Sequence, residues 1–257
     1  MSTEDRVGVS GFVLLSVLVL GQAALTYTLN RRVGALDERM RNFGVSIGTQ
    51  LSATDAFLKF TTDGVWIRLE DATGPSVGAT RPAVHVIEFA DFECPACAVI
   101  APRLTAVLQR DSQLVRLTFK HLPLTEIHSE AFAAALGGVC ADHFGRFWEF
   151  AERVYDDQES LSRLGGAFVV MTAGELGIDT TAFLRCLESG PTRSVVEGDL
   201  KLARRLGIRS TPTFFVNGKR LEGANWDLLE AAVEWELRAR RRSSSALAEV
   251  SNGRSVR

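Results

Sequence analysis

The sequence predicts an α/β domain interrupted by a helical insertion and preceded by a membrane-spanning segment. Three observations carry this. Strand-like and helix-like patterns alternate on either side of a dicysteine; a long stretch of helical patterning, about 124–207, separates two groups of strands; and Val7 to Leu29 holds no charged residue. The chain of 257 residues, 46% hydrophobic with a formal net charge of -2, can bury a full core and lacks the basic surplus of a nucleic-acid binder, so nucleic acid is not an expected partner.

Residues 1–6 form a short tail before the apolar segment. The charge-free run at 7–29 matches the roughly 20 residues a helix needs to cross hydrocarbon, which reads as a single anchor. The alternative is a cleaved secretory signal, since Arg6 precedes the run and Gly21-Gln22-Ala23 has the small-x-small pattern. Arg31, Arg32, Arg39 and Arg41 follow the span where only Arg6 precedes it, which taken alone places the following domain inside. Large domains translocate regardless of flanking charge, and thiol chemistry suits an oxidising compartment, so the expectation is an extracytoplasmic, periplasmic domain, secreted if the segment is cleaved.

Residues 30–60 read as a helical connector, with Val33, Leu36, Met40 and Phe43 at helical spacing. A domain at 61–239 follows. "VWIRL" from Val65 suggests a strand, "ATGPSVGATRP" a turn, and "AVHVIEFADF" a central strand of β-branched and aromatic residues. "CPACAVIAPRLTAVLQRD" is a helix with Pro95 in its first turn, where a missing N–H does no harm. "LVRLTFKHL" is the next strand. After the insertion, "TFFVNGKRLEG" is a hairpin turning at Asn217-Gly218, and "ANWDLLEAAVEWELRAR" is a closing amphipathic helix. The Ser- and Arg-rich tail at 240–257 is expected to be disordered. Strand, dicysteine helix, strand, helical insertion, hairpin and helix make a thioredoxin fold interrupted by a helical subdomain.

Cys94-Pro95-Ala96-Cys97 therefore falls at a strand-to-helix junction. A cysteine at a helix N-terminus faces unpaired N–H groups and the positive end of the dipole, which stabilise its thiolate. Cys94 is so placed and reads as the attacking thiol. Cys97, one turn further in, reads as the resolving one. Glu88 sits in an otherwise apolar strand: beneath the dicysteine it would act as a proton relay, and on the other reading it is a strand-face glutamate reaching solvent. Pro212, after Thr211, opens the strand "TFFV".

The blocks "VIEFADFECPACAVIAP", "FKHLPL", "HSEAFAAALGGVCADHFGRFWEF" and "GIRSTPTFFVNGKRLEG", in that order from about Pro75 to Leu237, resemble the DsbA-like thiol:disulfide oxidoreductases of the thioredoxin superfamily. The resemblance implies Cys94 as an exposed nucleophile, Cys97 as the resolving thiol, Glu88 as a buried acid and Pro212 as a cis-proline. Thr211 and Pro212 would then present backbone to an extended substrate strand. The sequence departs from the strongest oxidants of that family in carrying Pro-Ala between the cysteines in place of Pro-His, which removes a donor that favours the thiolate.

Cys140 and Cys186 lie on separate insertion helices and read as a structural disulfide or as two buried thiols; related proteins with a bridge in the helical region favour the disulfide. The histidines His85, His121, His128 and His143 lack ligand spacing and are expected to point out of the sheet, cap helices or face solvent, so no metal is expected. The expected function is disulfide exchange as a dithiol oxidase, needing no cofactor. Its partners would be thiol- or disulfide-containing protein substrates, together with an unidentified recycling partner that a membrane protein could supply. A reductase or isomerase of the same fold, and a non-catalytic tethered module that binds or chaperones peptides, are the alternatives.

Overall fold

The computed structural model describes Ile67 and residues 73–251, with side chains to residue 243. The proposed span at 7–29, the connector at 30–60, most of the "VWIRL" strand and the last residues of the tail lie outside these. Among the described residues no helix is long and apolar enough to cross a membrane. The chain divides into Met1–Ala56 and Phe57–Arg257, and the described residues belong to the second unit.

Among the described residues five strands form one mixed sheet in the order β1-β3-β2-β4-β5. They are β1 (Ser76–Gly78), β2 (Val84–Ala90), β3 (Val115–His121), β4 (Thr213–Val216) and β5 (Lys219–Glu222). β2 and β3 run parallel, joined by helix α1 (Pro95–Arg110), and the remaining pairs are antiparallel. The stretch "ATGPSVGATRP" was expected to be only a turn, but its centre pairs with β3 as a short edge strand. Gly78 makes this possible: at φ +99, a Cβ there would meet the Val115 carbonyl oxygen at 2.2 Å.

Every residue of β2 is buried, because helices cover both faces of the sheet. Val86, Val115 and Leu117 meet Leu104 and Val107 of α1 and Leu229 and Val233 of the closing helix α8 (Trp226–Ser251). On the opposite face Ile87, Phe89 and Phe215 pack with Leu202 and Ala203 of helix α7 (Gly190–Arg205) and with Ile208. The strand period of two thus sends Val86 and Glu88 toward α1.

The β4–β5 turn has positive φ at both Asn217 (48°) and Gly218 (88°), as a two-residue hairpin loop matching the sheet twist requires. Asn217 also fastens the neighbouring strand. Its Oδ1 accepts from the His85 N–H at 2.8 Å, and its Nδ2 donates to the Ala83 carbonyl at 3.2 Å.

Between β3 and β4 the chain forms α2 (Ala131–His143), α3 (Phe147–Asp156), α4 (Gln158–Leu164), α5 (Gly166–Glu175), α6 (Thr180–Leu187) and α7. Asp157, Asp179 and Ser189 cap α4, α6 and α7 by accepting from backbone N–H groups in the first turns. The insertion is centred on Phe92, whose ring lies 5.4 Å from Phe119 and 5.9 Å from Phe150. Gly138 in α2 admits this cluster, because a Cβ there would lie 2.8 Å from the Phe92 ring and 2.9 Å from His121.

Two expectations are corrected. The closing helix does not stop near Ala239 but continues to Ser251, since "RRRSSSALAEVS" contains no glycine or proline and ends in good helix formers. The histidines are also more deeply placed than their sequence context implied. His121 is only 1% exposed, with neither ring nitrogen hydrogen-bonded among the described residues, and sits against Phe119 and Phe147; burial drops its pKa to about 3, so it is a neutral core ring. His85 is buried against the Thr118 hydroxyl at 2.8 Å.

Candidate active site

Cys94 is the N-cap residue of α1, extended at φ -72 and ψ 118, and Pro95 opens the first turn. Its sulfur lies 3.4 Å from the Thr211 carbonyl oxygen, and the Thr211–Pro212 peptide bond is cis. The structure thus brings the dicysteine and the Thr211-Pro212 segment to one place. Both thiols are free. Cys94 is 7% exposed and Cys97 is fully enclosed, so the nucleophile that the resemblance made exposed is largely covered.

The thiols are electrostatically unequal. Cys94 is pulled down to about 5, first by a hydrogen bond from Cys97, then by the Thr211 hydroxyl and the backbone N–H groups of Cys97 and Ala96, against a counteracting cost of burial. Cys97 is pushed well above the ordinary thiol value by burial, by its hydrogen bond with Cys94 and by the nearby Glu88 carboxylate.

Glu88 faces α1 and is 4% exposed, and its Oε1 has no hydrogen-bond partner among the described residues. Burial, with a smaller contribution from the Cys94 charge, raises its pKa to about 8. Of its two sequence readings, the solvent-reaching one is excluded by this burial. The Tyr155 hydroxyl is a neighbour that sequence reasoning missed. It is buried, lacks a hydrogen-bond partner among the described residues, and is raised well above the ordinary phenol value by burial and by the charges of Cys97 and Glu88.

The frame around the dicysteine was also missed. Asp91, 2% exposed, accepts from the Glu93 N–H at 2.9 Å through Oδ1; its Oδ2 accepts from the Leu124 N–H and meets His128 Nδ1, each at 2.8 Å. Glu93 accepts from the Glu130 N–H at 2.6 Å and from the Ser162 hydroxyl at 2.9 Å. Gln158 Nε2 donates to the carbonyls of Phe92 at 2.7 Å and Cys94 at 3.0 Å. The loop leaving β2 is therefore held at both ends by polar groups from the insertion. The signal available in sequence was the acidic run "ADFE" just before the first cysteine, where solvated charge would not be expected beside a buried strand.

Cys140 and Cys186 are joined, with Cα atoms 5.9 Å apart, and tie α2 to α6. The Thr192 hydroxyl lies 3.4 Å from the Cys186 sulfur. Among the described residues no cluster of His, Cys, Asp and Glu could hold a metal ion.

A dithiol on a helix N-terminus, opposed by a cis-proline segment and roofed by a helical insertion, defines the DsbA-like class of the thioredoxin superfamily. The chain belongs to the thioredoxin family, whose profile matches residues 70–234. Among solved structures it is similar to DsbA2 of Pseudomonas aeruginosa (TM-score 0.52, 26% identity, 62% of this chain and 92% of that one). It is also similar to a thioredoxin-like oxidoreductase of Silicibacter pomeroyi DSS-3 (TM-score 0.56, 25% identity, 65% and 92%). Oxidised BdbD of Bacillus subtilis shares the fold at TM-score 0.58 and 24% identity, covering 67% of this chain and 96% of that one. A curated relative named Na(+)/H(+) antiporter NhaA 3, from Salinispora tropica, is 35% identical over 157 residues, which are 61% of this chain and 24% of the relative. The chain thus spans about a quarter of that relative's length.

Proposed function

We propose that this chain is a protein thiol:disulfide oxidoreductase that works as a dithiol oxidase through Cys94 and Cys97. The observation that carries the reading is the inequality of the two thiols: Cys94 is held near 5 while the enclosed Cys97 is pushed up. A sulfur of low pKa is a good leaving group and a weakly held partner in a mixed disulfide, which favours passing the disulfide on.

In the oxidised form a substrate thiolate attacks the Cys94 sulfur. The Cys94–Cys97 bond breaks and its electron pair stays on Cys97, which takes a proton because its thiol form is the favoured one. Glu88, on the same face and protonated below about 8, is the group placed to give it. A second substrate thiolate then attacks the substrate sulfur of the mixed disulfide, and Cys94 leaves as a thiolate. The substrate has lost two electrons and the dithiol has gained them. A redox partner must remove them for another turnover. The Thr211 and Pro212 backbone beside Cys94 is the platform for an extended substrate segment.

The domain works outside the cytoplasm, tethered by Val7 to Leu29, with a membrane protein as the recycling partner. The Cys140–Cys186 bridge supports an oxidising compartment. The reduction potential of the pair tests the chemistry: a value above about -180 mV supports the oxidase, and one near about -270 mV replaces it with a reductase. C94S must lose the ability to oxidise a reduced multi-disulfide substrate; full retention makes the site non-catalytic. Protease added to spheroplasts tests the location, since an extracytoplasmic domain is digested and a cytoplasmic one is spared.

A further inference from the structure

On the face of the sheet that carries Glu88, Leu117 and Phe119, a cleft of about 710 Å³ opens between α1 and α3. That volume is in the range of small-molecule sites. The opening exists because α1 turns small residues toward it, Ala98 and Ala101 among them, while Trp148 and Phe119 supply aromatic wall. Its carboxylic acids are Glu88 in the floor and Glu149, Glu152 and Asp156 along α3, with no lysine, arginine or histidine among the described residues that line it. Of these, Glu149 is engaged with Arg146 at 2.9 Å.

The floor has a second property. Glu88 Oε1 and the Tyr155 hydroxyl are both buried and both without hydrogen-bond partners among the described residues, and both residues line the cleft. A buried polar atom left unpaired is costly, so a partner that reaches these two from the cleft is favoured. Apolar walls, a floor offering a carboxyl and a hydroxyl, and an acidic rim are complementary to one chemistry.

We propose that this cleft is a binding site for a small amphipathic amine, with an aromatic or branched aliphatic body lying against Trp148 and Phe119 and an ammonium group directed at Glu88 and Tyr155. The rim acids attract the cation, the walls exclude water from its body, and the bound ammonium draws Glu88 into its carboxylate form, releasing that proton to solvent, so that the floor accepts the N–H groups. The site is separate from the Thr211-Pro212 platform, so its occupant need not compete with a substrate strand. The assignment does not depend on the direction in which the dithiol passes electrons.

The test uses the full chain labelled at alanine methyl groups and titrated with 4-phenylbutylamine and, in parallel, with 4-phenylbutan-1-ol as its uncharged counterpart. Ala98, Ala101 and Ala151 line the cleft and report occupancy locally. Their methyl signals should shift saturably with the amine, and the alcohol should bind about tenfold more weakly or worse. A101W, which fills the cleft, should abolish the shifts at Ala98 and Ala151. E152Q/D156N, exposed changes that leave the core untouched, should weaken the amine severalfold and leave the alcohol unchanged. Absence of saturable shifts at these methyls, equal binding of amine and alcohol, or amine binding undiminished in E152Q/D156N would each overturn the proposal.

Discussion

The Cys94 sulfur meets the Thr211 carbonyl oxygen at 3.4 Å, a contact between residues 117 positions apart. The Thr211 hydroxyl, buried and without a hydrogen-bond partner among the described residues, is available to turn to the thiolate as a donor. T211V, which keeps the shape and removes the hydroxyl, should therefore weaken the thiolate by about 1.4 kcal/mol, the scale of a hydrogen bond to a charged group. Thiolate absorbance at 240 nm against pH should place wild-type Cys94 near 5 and T211V clearly higher. An unchanged curve would assign the stabilisation to the Cys97 hydrogen bond and the helix N–H groups.

Glu88 gives a pH dependence of stability with a definite sign. Its pKa is raised from 4.5 to about 8 on folding, so the native state binds the proton more tightly than the unfolded chain. Its contribution is fully present below about 4.5 and is lost as pH rises through about 8. Urea denaturation of the oxidised proteins at pH 5 and pH 9 should show E88Q gaining on wild type at the higher pH. Oxidation removes the Cys94 charge, which is the smaller of the two causes, so the gain should be larger in the reduced pair.

Asp91 binds the loop before the dicysteine to the start of the insertion. D91A leaves the buried N–H of Glu93 and the partly buried N–H of Leu124 without their acceptor, at an expected cost of about 2–4 kcal/mol in chemical denaturation. Hydrogen exchange should accelerate first at 91–97, ahead of the β2–β3 ladder. Loss spread evenly over the domain would contradict this local role.

Lys120 and Asp199 form a buried ion pair at 2.7 Å, with side chains 5% and 9% exposed, and the second Asp199 oxygen accepts from the His121 N–H at 2.9 Å. K120M strands a carboxylate that burial already pushes up, and should cost about 3–5 kcal/mol. K120M/D199L should recover part of that. A double variant no better than the single one would show that the bond to His121 matters more than the charge pair.

The order of the elements was legible because each had a local cause: β-branched runs for β2 and β3, Pro95 at the start of α1, and Asn217-Gly218 for the hairpin. Cys94 and Cys97 could be chosen from their place at a strand-to-helix junction, whereas Glu88 and Pro212 rested mainly on the resemblance to the DsbA-like family. The frame was not legible. Asp91 meets His128 and Glu93 meets Ser162 across 37 and 69 residues, pairings that no local period encodes. Edge strand β1 was hidden because its three residues are too short for an alternation, and His121 because a neutral buried imidazole looks the same in sequence as a solvated one.

Gln158 grips the carbonyls of Phe92 and Cys94, and Asp91 and Glu93 tie the loop before them, yet none of these groups reaches the side chains of Pro95 and Ala96. The side-chain hydrogen bonds that fix the loop are thus independent of which side chains stand between the cysteines, while Pro95 opens the helix and Ala96 packs on the insertion core. The two positions behave as a dial set into a fixed mounting: selection or a designer can replace them to retune the driving force of electron transfer, one substitution at a time, without having to rebuild the scaffold around each new setting.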